Sequence, residues 1–134
     1  MRTYLIDDDS VSLYLTTQVL RMEEFTSTVH SFLSAQDALA DLLPRLTGSE
    51  LPEVVFLDLN MPVMNGWEFL EELAPYQDAL RGRCSIYLLT SSLALSDTAK
   101  AANYDLVTGV IHKPLDGDEL RAIQVRLQDS VPKR

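Results

Sequence analysis

Four successive apolar residues, Val54-Val55-Phe56-Leu57, run directly into a carboxylate, Asp58. An apolar run without period-two alternation is what a strand buried on both faces requires. Such a strand belongs in a parallel sheet with helices packed on either side. The strand is expected over 53–57. Short runs rich in β-branched or aromatic residues near 3–6, 26–32, 84–89 and 106–112 predict four more. The stretches between carry helical spacing. Val11, Leu15, Val19 and Met22 fall on one stripe, and Ala35, Leu39, Leu42 and Leu46 on another. Asp9 or Ser10 is expected to cap the first helix, and Ser34 the second, with Asp37 at the reciprocal position of a capping box. Further helices are predicted over 66–74, where Pro75 breaks the pattern, over 96–103 with Ser96 as cap, and over 117–129.

Alternating strands and helices joined by right-handed crossovers give a doubly wound α/β fold with helices on both faces. For five strands the expected order is the flavodoxin-like 2-1-3-4-5, whose ligands bind beyond the carboxyl ends of the first and third strands. At 134 residues the chain is expected to be one domain, with a core over about 3–129 and no output domain after VPKR. The net charge of −9 argues against a general affinity for nucleic acid, which calls for a basic patch or stripe. No apolar stretch approaches the roughly 18–20 residues needed to cross a bilayer. The single cysteine, Cys84, cannot form an internal disulfide, and no charged-then-apolar leader opens the chain, so a cytoplasmic location is expected.

The chemistry-bearing residues fall at the ends of the strands. Asp7 and Asp8 follow the run TYLI, Asp58 ends VVFL, Thr90 ends YLLT with Ser91 and Ser92 behind it, and Lys113 follows GVIH. Three carboxylates brought together repel one another, and each pKa rises unless a cation neutralises them. Oxygen ligands suit a hard divalent ion, and magnesium takes one or two carboxylates and completes its shell with waters and phosphate oxygens. Lys113 and a hydroxyl can hold the remaining oxygens of a phosphoryl group. Asp58 can then act as nucleophile and become an aspartyl phosphate.

In combination, IDDD, FLDLNMPVMNG, LLTSS and HKP resemble the response regulator receiver domain, the CheY-like phosphoacceptor module of two-component signalling, over about Tyr4 to Leu127. The resemblance implies phosphorylation at Asp58 and a Mg2+ ion held by Asp8 directly, by Asp7 through water, by Asp58 and by the backbone carbonyl of Asn60. It gives Thr90 and Lys113 to the phosphoryl group and makes the Lys113–Pro114 peptide cis. The implied donor is a histidine kinase or histidine phosphotransfer protein, with an unidentified downstream protein as target. Partner binding would pass through the fourth and fifth helices and fifth strand, on a monomer or a weak phosphorylation-dependent dimer. Such a module is a switch rather than an enzyme, phosphorylating itself from small donors and dephosphorylating itself.

Other polar residues carry structural readings. Pro62 and Gly66 shape the loop after Asp58; His30 and His112 have no second ligand at local spacing. Trp67, Phe69, Leu70 and Leu73 read as helix packing, and Cys84 as a buried thiol. One position departs from the family pattern: many receivers place a switching tyrosine or phenylalanine on the fifth strand where this chain has Val110. Movement of Thr90 must then be read out without that ring, and Tyr104 lies at a different position. A pseudo-receiver predicts loss of site residues, yet all are present. An aspartyl phosphohydrolase needs a second acid/base carboxylate where this chain has Asn60. A flavodoxin-like electron carrier needs a hydroxyl- and glycine-rich loop where this chain has three aspartates.

Overall fold

The computed structural model describes residues 2–25, 28–91 and 95–130. Five strands, β1 (Arg2–Ile6), β2 (Thr28–Phe32), β3 (Val54–Asp58), β4 (Ser85–Thr90) and β5 (Val107–His112), form one parallel sheet in the order β2-β1-β3-β4-β5. This is the expected topology. The first two residues of the expected second strand, 26 and 27, lie outside the described residues, as does VPKR.

Among the described residues six helices accompany the sheet: α1 (Ser10–Met22), α2 (Ala35–Leu42), α3 (Gly66–Leu73), the single turn α4 (Gln77–Leu80), α5 (Leu95–Ala101) and α6 (Gly117–Ser130). Asp9 caps α1, accepting from the amides of Val11 at 2.9 Å and Ser12 at 3.4 Å. At α2 the Ser34 half of the expected box forms, Ser34 Oγ accepting from Asp37 N–H at 3.2 Å. A complete box closes α3 instead, between Asn65 and Glu68. Pro75 ends α3 as predicted, but a 3-10 turn over Ala74–Tyr76 leads directly into α4, which the apolar spacing did not announce. Ser96 does not cap its helix: α5 begins at Leu95, which puts Ser96 inside the first turn.

Strand β3 is buried throughout, and its side chains alternate between two cores. Val55 and Leu57 join Tyr4, Ile6 and the apolar faces of α2 and α3. Val54 and Phe56 join Leu5, Leu13, Leu20, Tyr87, Leu120 and Ile123, beneath α1 and α6. Each core thus takes every second residue of one strand, the geometric consequence of period-two side chains. Cys84 is buried just before β4, and burial pushes its thiol up to about 12, as the expected inert residue should behave. Among the described residues no helix is long and apolar enough to cross a membrane.

The first helix corrects the sequence expectation. Its buried residues are Leu13, Thr16 and Leu20, while Val11, Leu15 and Met22 of the predicted stripe are 62%, 55% and 80% exposed. Val19 is half-buried. Leucines, valine and tyrosine lie around most of this helix, so two stripes satisfy helical spacing, and the one containing a threonine faces the core. On α2, by contrast, the predicted stripe is the buried one. Urea denaturation separates the two faces of α1. Leu20→Ala is expected to cost about 2–5 kcal/mol through a core cavity, whereas Leu15→Ala is expected to stay within about 0.5 kcal/mol of the parent. Equal losses would contradict this assignment of faces.

Candidate phosphoacceptor site

Sheet register brings the polar residues together. Ile6 is paired with Leu57, so the next residues on those strands, Asp7 and Asp58, leave the sheet side by side. Asp58 is in turn paired with Leu89, and Thr90 with His112, which delivers Thr90 and Lys113 to the same end. The Lys113 N–H donates to the Thr90 carbonyl at 2.8 Å, continuing the ladder one step beyond the strands. The Lys113–Pro114 peptide is cis, as expected.

Carboxylate oxygens of Asp7, Asp8 and Asp58 lie within 4.8 Å of one another. Asp7 and Asp58 are buried, whereas Asp8 opens to solvent. Lys113 Nζ donates to Asp7 Oδ2 at 2.7 Å and lies 3.4 Å from Asp58 Oδ1. Two buried carboxylates thus share one ammonium. Burial and the charge of Asp7 raise the Asp58 carboxyl to about 6, with Lys113 and the Asn60 N–H offsetting part of the effect. Partial burial works against the Lys113 ammonium, but its hydrogen bond to Asp7 and the neighbouring Asp58 charge hold its pKa above the ordinary value. One lysine leaves this acidic cluster with excess negative charge, and the oxygen-only donor set fits a hard divalent cation.

Backbone geometry shapes the rim. Asn60 N–H points back to Asp58 Oδ1 at 3.4 Å, and Asp9 N–H to Asp7 Oδ1 at 3.0 Å, so the short loops are folded onto their own carboxylates. Beyond Asn60, Met64 N–H donates to the Pro62 carbonyl at 2.8 Å, closing a three-residue turn at Val63. Val63 has φ 68° and is 87% exposed. A β-branched side chain in that region is strained. Gly66 is required by close approach rather than by the turn: an added Cβ would stand 2.9 Å from the Asp58 carbonyl oxygen and 3.0 Å from Leu59 Cα. Helix α3 therefore starts in contact with the backbone of Asp58 itself.

Thr90 is buried at the end of β4, and Ser91 is exposed; Ser92 lies outside the described residues. Val110 is half-buried against the core beneath α2 and α3. His30 packs edge-on to Tyr4 at 6.0 Å, a packing role. Phe69, Leu70 and Leu73 are core residues, but Trp67 is only half-buried and stacks on Tyr104. The capping box at Asn65 and the Trp67–Tyr104 stack escaped the sequence reading. The first was signalled by Asn65 three residues ahead of Glu68; the second had no local signal, because its partners are far apart in the chain.

Asp58 holds its proton more tightly in the folded chain than in the unfolded one. Its contribution therefore favours the fold below the unfolded pKa, and is lost as pH rises through about 6. Without divalent cations, Asp58→Asn is expected to be more stable than the parent by about 1–2 kcal/mol at pH 7.5, the gap closing by about pH 4. Chemical denaturation at the two pH values checks this, and a gap independent of pH would count against a costly charge at Asp58.

Known proteins share both the sequence pattern and the architecture. Residues 4–124 match the family model described as the response regulator receiver domain. A two-component response regulator from Cytophaga hutchinsonii superposes with a TM-score of 0.89 at 29% identity, covering 96% of each chain. A response regulator receiver protein from Dyadobacter fermentans gives 0.82 at 31% identity, covering 94% of this chain and 96% of that one. A two-component response regulator from Legionella pneumophila gives 0.77 at 27%, covering 96% and 98%. A search of curated protein sequences gives no match. The matched segment contains all four strand ends that build the acidic site, and the chain belongs to the response regulator receiver domain family, the CheY-like modules of two-component systems.

Proposed function

We propose that this receiver accepts a phosphoryl group on Asp58 from the phosphohistidine of a histidine kinase or histidine phosphotransfer protein. One observation carries the reading: Asp58 is buried at the end of β3 with Asp7, Asp8 and Lys113 converging on it. An Asp58 carboxylate oxygen attacks phosphorus, the phosphorus–nitrogen bond to the donor imidazole breaks, and the imidazole leaves with the electron pair. Lys113, already beside Asp58, and Thr90, beside Lys113 at the backbone, meet the new phosphoryl oxygens. Mg2+ held by Asp7, Asp8, Asp58 and the Asn60 carbonyl would offset charge on the transferring group. Water attack on the acyl phosphate resets the carboxylate. The nucleophile is regenerated on the protein itself, which makes the module a switch rather than an enzyme.

The exposed stripe of α1 supports delivery by a protein donor. Val11, Leu15, Val19 and Met22 line a groove with Pro114 and Leu115, and Lys113 lies on the same groove. Apolar surface beside a reactive carboxylate suits a partner helix that carries the phosphohistidine. Phosphorylation adds about 1.5 to 2 negative charges to the site. The face we assign to the response is built from α5, β5 and α6.

Incubation with acetyl phosphate and Mg2+ is expected to add one phosphoryl group by intact mass, and Asp58→Asn to abolish it. Labelling that survives the substitution would sink the assignment. Leu15→Asp is expected to slow transfer from a phosphorylated kinase active on the parent by about tenfold or more, with the acetyl phosphate reaction unchanged. Equal slowing of both reactions would place Leu15 outside the docking surface.

A further inference from the structure

The chain around the carboxy-terminal end of α5 is held by groups that lead back to Asp58. On the amino-terminal side of that helix the chain comes from Thr90, with α5 beginning at Leu95. At and just beyond its carboxy-terminal end, Lys100 on α5 and Tyr104 in the turn after it meet Trp67 and Glu71 of α3. The rings of Trp67 and Tyr104 stack with centroids 5.8 Å apart at 27°. Lys100 Nζ lies 4.7 Å from the centroid of the Trp67 ring. The Tyr104 hydroxyl donates to Glu71 Oε1 at 2.6 Å. Trp67 and Glu71 are four residues apart on α3 and so share a face, which grips Tyr104 and Lys100 together.

Helix α3 in turn cannot shift independently of the site. Gly66 rests against the Asp58 carbonyl, and its N–H donates to the Leu59 carbonyl at 3.1 Å. Trp67 is the next residue. A change in the loop after Asp58 is thereby passed in one step to a ring stacked on Tyr104, just past the end of α5. On β5, Val110 offers no ring for such a task.

We propose that the cluster of Trp67, Glu71, Lys100 and Tyr104 is a latch between α3 and α5, and that phosphorylation at Asp58 opens it. The proposal rests on the reading of Asp58 as the phosphoacceptor. Closed, the latch combines an aromatic stack between half-buried rings with a cation over a ring and a charge-assisted hydrogen bond from the exposed Lys100 and to the exposed Glu71, positions where single interactions are modest. Such a contact is strong enough to bias one helix and weak enough to release it. Two states separated by a few such contacts are what a switch of this size requires.

Trp67 is the chain's one tryptophan, so its fluorescence reports the latch directly. The experiment follows Trp67 emission and amide hydrogen exchange over 96–104 during acetyl phosphate labelling with Mg2+, with intact mass read in parallel. Expected are a change in emission and faster exchange that grow with the labelled fraction. In the unlabelled Tyr104→Phe protein, which keeps the ring but loses the bond to Glu71, exchange over 96–104 is expected to be about fivefold faster than in the parent. Its further rise on labelling should then shrink. Labelling without any change at Trp67 or over 96–104 would overturn the latch while leaving the phosphoacceptor reading intact. Absence of labelling would remove that reading, and the latch with it. Parent-like exchange in unlabelled Tyr104→Phe, with Glu71→Gln behaving likewise, would also overturn the latch.

Discussion

Two buried carboxylates sharing one lysine are the constraint around which the rest of the molecule is organised. Asp7 and Asp58 leave neighbouring strands at one level, and Lys113, arriving from β5 two strands away from β3, stands between them. Removing charges from water is costly unless the partners hold their geometry. The parallel register supplies that geometry, because a slip of one residue would turn each carboxylate to the opposite face. Register in turn depends on a central strand whose alternate residues fill two separate cores. Stability and site geometry are therefore the same specification: the packing that buries Val54 to Leu57 is also what aims Asp58.

The loops do a different task. Between β3 and α3 the chain must leave the sheet, pass the site and start a helix against the Asp58 backbone. It does so with a strained turn at Val63, a helix start too tight for any side chain at position 66, and reciprocal capping by Asn65 and Glu68. Strain at an exposed residue persists where the surroundings leave the backbone no other course. Here the surroundings are the first turn of α3 on one side and the acidic site on the other.

Much of this was legible in the sequence, for reasons that differ by element. β3 announced itself because full burial leaves no polar residue in its run, and the meeting of Asp7, Asp58 and Lys113 followed from strand order alone. The α2 face was legible because only one stripe of that helix is apolar. The α1 face was not: apolar residues surround it, and the side that looked like core is exposed beside Lys113. An exposed apolar face has the composition of a buried one, and spacing cannot tell them apart. Ser96 misled by its type, since a serine near a helix start caps only if the helix begins just after it. The contact between Trp67 and Tyr104 was beyond reach, because it depends on how α3 and the turn after α5 sit on the sheet rather than on any local pattern.

Cys84 gives the molecule an unplanned use. A lone thiol, buried just ahead of β4 and pushed up to about 12, is almost wholly un-ionised near neutral pH and shielded from reagents. A thiol-specific probe can therefore reach it only through an opening of the surrounding core. The rate of its modification measures how often that part of the protein breathes. The chain thus carries an internal gauge of local unfolding that requires no engineered label, just ahead of the strand that ends at Thr90.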